Sequence, residues 1–198
     1  MRITSAQFIK GITGTDAILT DGLPQIAFVG RSNVGKSSVI NALVGETDIV
    51  KVGRRPGKTT EINFFLINKQ FYFVDLPGYG YARLTPDEKE KISKHLNWYL
   101  GKSGVVLAQG VMILDVKVGF TNFDREMARL LSGAGHNFII IANKVDKLNQ
   151  KETSQQLELI SASLQGGAAI PFSALTGQGV EAVLEIFANN IDVLRLHS

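Results

Sequence analysis

The chain has 198 residues, 44% of them hydrophobic and 20% charged, and its 21 Lys and Arg against 18 Asp and Glu leave a formal charge of +3. That length and usage suit one folded domain with a buried core, and they argue against disorder, a coiled coil or a second domain of any size. Cysteine is absent, which excludes disulfides, thiolate metal sites and a cysteine nucleophile, and makes a reducing, cytoplasmic compartment the expected home.

No run approaches the roughly 18 apolar residues that a membrane-spanning helix requires, and the N-terminal residues lack the basic-then-apolar plan of a signal peptide. The small positive surplus is concentrated. Lys51, Arg54, Arg55 and Lys58 give residues 51–58 a charge of +4, and the rest of the chain together carries −1.

In chain order, periodicity leaves two arrangements open for residues 3–9, an edge strand or a run along the surface, within an N-terminal extension of residues 1–21. Strands are expected at 25–29, 62–67, 70–75, 105–114, 138–143 and 168–172. Asn68 and Lys69 separate the second and third at hairpin spacing, which predicts one antiparallel edge strand in a mostly parallel sheet. One-sided apolar stripes predict helices through Ile92, Leu96, Tyr99 and Leu100, through Phe123, Met127, Leu130 and Leu131, and through Val180, Val183, Leu184, Phe187 and Ile191. Thr85-Pro86-Asp87-Glu88 has the N-cap, first-turn proline and third-position glutamate of a helix start, and Thr121 to Asp124 repeats it more weakly. The alternation predicts an α/β fold of three layers, helices on both faces, with its core at residues 22–192. Residues 45–61 show no period, and a loop that long is usually functional or disordered.

Directly after the first apolar strand stands Gly30-Arg31-Ser32-Asn33-Val34-Gly35-Lys36-Ser37, followed by a helical run from Ser38. It matches G-x-x-x-x-G-K-[ST], a phosphate-binding loop. The glycines let the backbone curl around an anion, the N–H groups and the helix N-terminus point at phosphates, Lys36 reaches the β and γ oxygens, and Ser37 can ligate Mg²⁺. At the end of the third strand lies Asp75-Leu76-Pro77-Gly78. Alone this D-x-x-G is an ordinary turn, but beside a phosphate loop its acid stands where a water-mediated Mg²⁺ partner is needed. Farther on, a strand ends in Asn143-Lys144-Val145-Asp146. A carboxylate can accept from N1–H and the exocyclic amine of guanine, whereas adenine offers no such donor pair, so Asp146 selects guanine. Asn143 and the stem of Lys144 would brace the loop and cover the base. Pro171-Phe172-Ser173-Ala174 can bring backbone N–H groups near the guanine carbonyl.

The order of these motifs is that of a translation-factor-type P-loop GTPase. At finer grain, FVGRSNVGKSSVINAL, RRPGKTTEINFF, FVDLPGYGYA and PFSALTGQGV together resemble the EngB/YihA/YsxC family of bacterial GTPases, of the TrmE-Era-EngA-EngB-Septin-like class, over residues 5–190. The resemblance implies a P-loop NTPase G domain that binds GTP and GDP, hydrolyses GTP weakly, and serves large-subunit ribosome assembly and normal septation. It implies Lys36, Thr59 and Gly78 at the reacting phosphate. Mg²⁺ would be ligated directly by Ser37 and Thr59, and through water by Asp75. Nucleotide contacts would come from Gly30, Arg31, Ser32, Asn33, Val34, Gly35, Lys36, Ser37 and Ser38, then from Gly57, Lys58, Thr59, Thr60 and Glu61 of switch I. Asp75, Leu76, Pro77 and Gly78 would sense the γ-phosphate, Asn143, Lys144, Val145 and Asp146 would read guanine, and Phe172, Ser173 and Ala174 would back the base. The large ribosomal subunit or its precursor is the implied partner, with no DNA contact, no membrane span and a monomeric state.

Tyr79 follows Gly78 where many GTPases place the Gln that orients the attacking water. A phenol is not placed like a carboxamide, which predicts slow hydrolysis. Asn33 is similar to the Asn that ligates an activating K⁺ in related GTPases; a turn residue is the plainer reading. Two other classes share the phosphate loop. A module that retains GTP without turning it over is compatible with Tyr79, whereas a nucleotide kinase leaves the NKVD segment without a role.

Overall fold

A computed structural model of the chain describes residues 1–46, 49–50, 61–80, 85–164 and 167–196. The switch I residues Gly57, Lys58, Thr59 and Thr60, and the four basic residues between 51 and 58, lie outside the described residues.

Among the described residues, seven strands form one sheet: β1 (Ala6–Ile12), β2 (Gln25–Gly30), β3 (Ile62–Ile67), β4 (Phe71–Asp75), β5 (Leu107–Asp115), β6 (Phe138–Asn143) and β7 (Ala169–Phe172). Their order across the sheet is β1-β3-β4-β2-β5-β6-β7. β2 pairs in parallel with β4 and β5, and β5–β6 and β6–β7 are parallel as well. The hairpin expected at Asn68 and Lys69 is present, with β3 antiparallel to β4 and positive φ at both turn residues. The antiparallel strand β3 stands one place inside the edge, because β1 pairs antiparallel to its free side and becomes the edge itself. That resolves the two arrangements left open for the N-terminal segment. Alternation is weak in β1 because its other flank is open, so most of its residues are exposed and only Ile12 is buried.

Helices α1 (Lys36–Val44) and α5 (Val180–Leu196) cover one face, and α2 (Pro86–Gly101), α3 (Asn122–Gly133) and α4 (Gln150–Ser163) cover the other. β2 shows why both faces are needed: Ile26 and Phe28 belong to the core under α1 and α5, while Ala27 and Val29 belong to the opposite one. A strand buried on both sides reads as a continuous apolar run. α2 starts as expected, with the Thr85 hydroxyl accepting from Glu88 N–H and the Glu88 carboxylate accepting from Thr85 N–H. α4 was not marked by periodicity, since only Ile160 of its residues is buried. Its signal lay in Asn149 and Glu152, which form a reciprocal cap. Trp98 packs against the core, and His136 sets Nε2 2.7 Å from the Leu100 carbonyl.

Under α1 and α5, Phe28, Phe73 and Phe187 meet edge to face with centroids 4.9, 5.7 and 6.1 Å apart. All three are fully buried. Phe187→Ala is expected to cost about 3–5 kcal/mol through lost transfer energy and the cavity left behind. Urea unfolding followed by circular dichroism should show that loss as a lower midpoint at unchanged slope; an unchanged midpoint would exclude Phe187 from the cooperative core.

Candidate functional site

Parallel strands deliver their C-terminal ends to one rim of a sheet, the edge at which open α/β sheets bind ligands. Here β2 ends at Gly30, β4 at Asp75, β5 at Asp115, β6 at Asn143 and β7 at Phe172. All five ends carry, or directly precede, residues singled out from the sequence or paired with them.

The chain leaves β2 at Gly30 and enters α1 at Lys36. Gly35 has φ of 93°, and an added Cβ there would lie 2.5 Å from Asn143 Nδ2, so only glycine fits. Gly35 also lacks a side chain to accept from the first-turn N–H groups of α1, and no acidic residue stands in that turn. α2 and α4, by contrast, have their first turns closed by capping boxes. An uncapped helix N-terminus, with its partial positive charge, is arranged to receive an anion. Ser37 and Ser38 lie half-buried in this turn. Lys36 Nζ pairs with the Asp75 carboxylate, both side chains being largely buried, which ties the loop to the end of β4.

Beyond Asp75, Leu76 N–H donates to the Phe28 carbonyl at 3.2 Å, and Leu76 and Pro77 are buried. Gly78 is half-exposed. Tyr79 and the loop then exchange backbone hydrogen bonds: Ser32 N–H donates to the Tyr79 carbonyl at 2.9 Å, and Tyr79 N–H to the Gly30 carbonyl at 3.4 Å. The Tyr79 side chain is buried and donates from its hydroxyl to Asp124 on α3 at 3.0 Å. Burial, and then the Asp124 charge, push its pKa well above the ordinary phenol value. Glu61 is exposed, one residue before β3.

The other half of the rim is built on β6. Asn143 is buried, donates from Nδ2 to the Val34 carbonyl at 2.9 Å and accepts at Oδ1 from Ala174 N–H at 3.3 Å. Lys144 has φ of 71°, and its ammonium donates to the Asn33 carbonyl at 2.6 Å and to Asp115 Oδ2 at 2.7 Å. Val145 is buried, turning Asp146 outward as an exposed carboxylate. Ser173, itself fully buried, donates from Oγ to Asp146 Oδ1 at 2.6 Å. An exposed carboxylate held in this way can accept from a planar pair of N–H donors.

Three details differ from the sequence reading. The amides of Ser173 and Ala174 are already used, by the Gln178 carbonyl at 3.0 Å and by Asn143 Oδ1, and it is the Ser173 hydroxyl that meets Asp146. Arg31 turns its guanidinium away to Asp124, with Nε 3.2 Å from Oδ2, leaving only its backbone in the loop. Asp115 and Asp124 were missed. Asp115 closes β5 in register with Asn143, a signal legible only once the two strands are known to be neighbours.

The family model described as "50S ribosome-binding GTPase" matches residues 25–144, and the one for the elongation factor Tu GTP-binding domain matches residues 101–193. A relative from Clostridium kluyveri named "Probable GTP-binding protein EngB" is 43% identical, the match covering 97% of this chain and 98% of that protein. A relative of the same name from Chlorobaculum parvum is 41% identical over 93% of this chain and 96% of its own. The chain belongs to the EngB family. A crystal structure of a probable GTP-binding protein EngB superposes with a TM-score of 0.69 at 25% identity, covering 85% of this chain and 98% of that one. This EngB-family chain is therefore a GTP-binding protein with a P-loop GTPase fold. Among the described residues, no helix is long and apolar enough to cross a membrane.

The Ser173–Asp146 contact generates a test in this EngB-family site. A hydrogen bond to a charged acceptor that is partly open to water supports an expected weakening of about tenfold for both GDP and GTP in Ser173→Ala. Titration with fluorescent nucleotide should read this; unchanged affinity would remove Ser173 from guanine recognition.

Proposed function

We propose that this chain is a GTP-dependent switch that hydrolyses GTP slowly, binds the large ribosomal subunit or its precursor in the GTP form, and supports ribosome assembly and normal cell division. The observation that carries the switch reading is the backbone joint between Tyr79 and the loop at Gly30 and Ser32. A displacement of Gly78 on loss of the γ-phosphate is passed through that joint to the chain that follows. The ribosomal partner is supported by the description of the matching family model.

In this reading the amides of residues 30–37 hold the phosphates, and Lys36 moves from Asp75 to the β and γ oxygens. Hydroxyl and carboxylate oxygens are the hard donors that suit Mg²⁺, so Ser37 and Thr59 would hold it directly and Asp75 through water. When bound, Mg²⁺ neutralises charge on the β and γ oxygens. Gly57, Lys58, Thr59, Thr60 and Glu61 would contact the nucleotide, and Asp75, Leu76, Pro77 and Gly78 would sense its terminal phosphate. Asn143, Lys144, Val145 and Asp146 read and cover guanine, with Phe172, Ser173 and Ala174 behind it. Slow turnover is expected from Tyr79, a phenol in the place of a water-orienting carboxamide, whose hydroxyl donates to Asp124 on α3.

With large ribosomal subunits in a co-sedimentation assay, the form carrying a non-hydrolysable GTP analogue is expected to bind about tenfold or more tightly than the GDP form. Equal binding would sink the switch model. Asn33 is exposed with φ of 65°, its carbonyl held by Lys144, and its side chain is the proposed K⁺ ligand. Single-turnover hydrolysis should then run about tenfold or more faster in K⁺ than in Na⁺ at equal ionic strength, an added cation stabilising developing phosphate charge. Equal rates would remove K⁺, and no hydrolysis in either salt would favour a module that only retains GTP.

A further inference from the structure

Among the described residues, Asp124, the third residue of α3, is a fully buried carboxylate with no part in holding nucleotide or metal. Its Oδ1 accepts from the Tyr79 hydroxyl at 3.0 Å. Its Oδ2 accepts from the Thr121 N–H at 2.9 Å and the Thr121 hydroxyl at 2.6 Å, and stands 3.2 Å from Arg31 Nε. A carboxylate costs heavily to bury, and such partners are what make its burial tolerable. Two of them come from segments facing the nucleotide: Arg31 follows Gly30 in the phosphate loop, and Tyr79 follows Gly78.

The backbones of those segments are already joined, and the joint is asymmetric. The Ser32-to-Tyr79 hydrogen bond is short, at 2.9 Å, whereas the Tyr79-to-Gly30 bond is long, at 3.4 Å. A Cβ added to Gly78 would lie 3.6 Å from the Gly30 carbonyl and from Ser32 N, so Gly78 rests directly against the loop. The backbone alone fixes that contact weakly on the Gly30 side. The Tyr79 ring, packed in the core and held by Asp124, supplies the second constraint.

We propose that Asp124 is a positioning residue for the terminal phosphate: holding Tyr79 and Arg31 from α3, it sets where Gly78 stands against the phosphate loop, and thereby the preference for GTP over GDP. The proposal rests on the guanine-nucleotide reading of the site and is independent of the ribosomal one. GDP lacks the phosphate that Gly78 would meet, so slackening this anchor weakens GTP selectively. A merely structural role would weaken both nucleotides together.

The test compares Tyr79→Phe, which removes only the hydroxyl, with Asp124→Asn, which keeps the shape and removes the charge. Asn149→Ala, which deletes the side-chain cap of α4, serves as a stability control. Affinities for GDP and for a non-hydrolysable GTP analogue are measured on each full-length chain, with its melting temperature. The expected result is a loss of about tenfold for the analogue and under about twofold for GDP in both site variants. The control should lower the melting temperature without moving the ratio. Where Asp124→Asn does not fold, Tyr79→Phe alone decides. Equal factors for the two nucleotides, or no change in Tyr79→Phe, would overturn the proposal alone. Failure of the unsubstituted chain to bind either nucleotide would overturn it together with the guanine-nucleotide reading.

Discussion

Asn143 joins three segments that lie far apart in the chain, donating to the Val34 carbonyl and accepting from the Ala174 amide while itself buried. Both ends of its carboxamide are used, so neither neighbour is left with an unpaired polar group in the interior. The contact constrains the rest of the rim. Gly35 must be glycine because Asn143 fills the space of a Cβ, and the N-terminus of α1 stays uncapped as a result. The neighbouring Lys144 then reaches back to the Asn33 carbonyl, so the loop after β2 and the segment after β6 form one unit.

The opposite side of the phosphate loop is held by charge. Lys36 meets Asp75, and Arg31 meets Asp124, each pair largely removed from water. Such pairs contribute little net stability, since desolvation offsets attraction, but they are costly to leave half-made. That asymmetry gives them use as position markers. Lys36 is held at the uncapped N-terminus of α1, whereas Arg31 is withdrawn to α3. Two cations in one loop thus take opposite parts because different carboxylates stand behind them.

Most of the fold could be read from the chain because its central strands bury both faces over most of their length and so read as near-continuous apolar runs, Ile26 to Val29 in β2 and Phe138 to Ala142 in β6, while α2 announces its start through Thr85 and Glu88. α4 escaped, and β1 stayed undecided between an edge strand and a run along the surface, for a shared physical reason. Each buries little, α4 contributing only Ile160 and β1 only Ile12, so neither imposes a strong period. The phosphate loop and the NKVD segment were legible because contiguous residues carry them. For residues 171–174 the expected contacts are backbone N–H groups, yet the Ser173 and Ala174 amides are both paired within the rim, because a sequence does not tell which amides a tight turn consumes internally.

Sequence alone determined the family, the guanine-nucleotide motifs and the concentration of positive charge in residues 51–58, all of which depend on residue identity at short spacing. Tertiary structure decided which groups meet across the rim. The Ser173 hydroxyl orients Asp146, Asp115 holds Lys144, and Asp124 gathers Arg31 and Tyr79. These pairs are 27 to 93 residues apart, and their contact follows from the parallel order β4-β2-β5-β6-β7, which brings every strand's C-terminal end to one edge. A short motif carries its geometry with it; a pair of distant side chains acquires one only when the sheet has set its strand order.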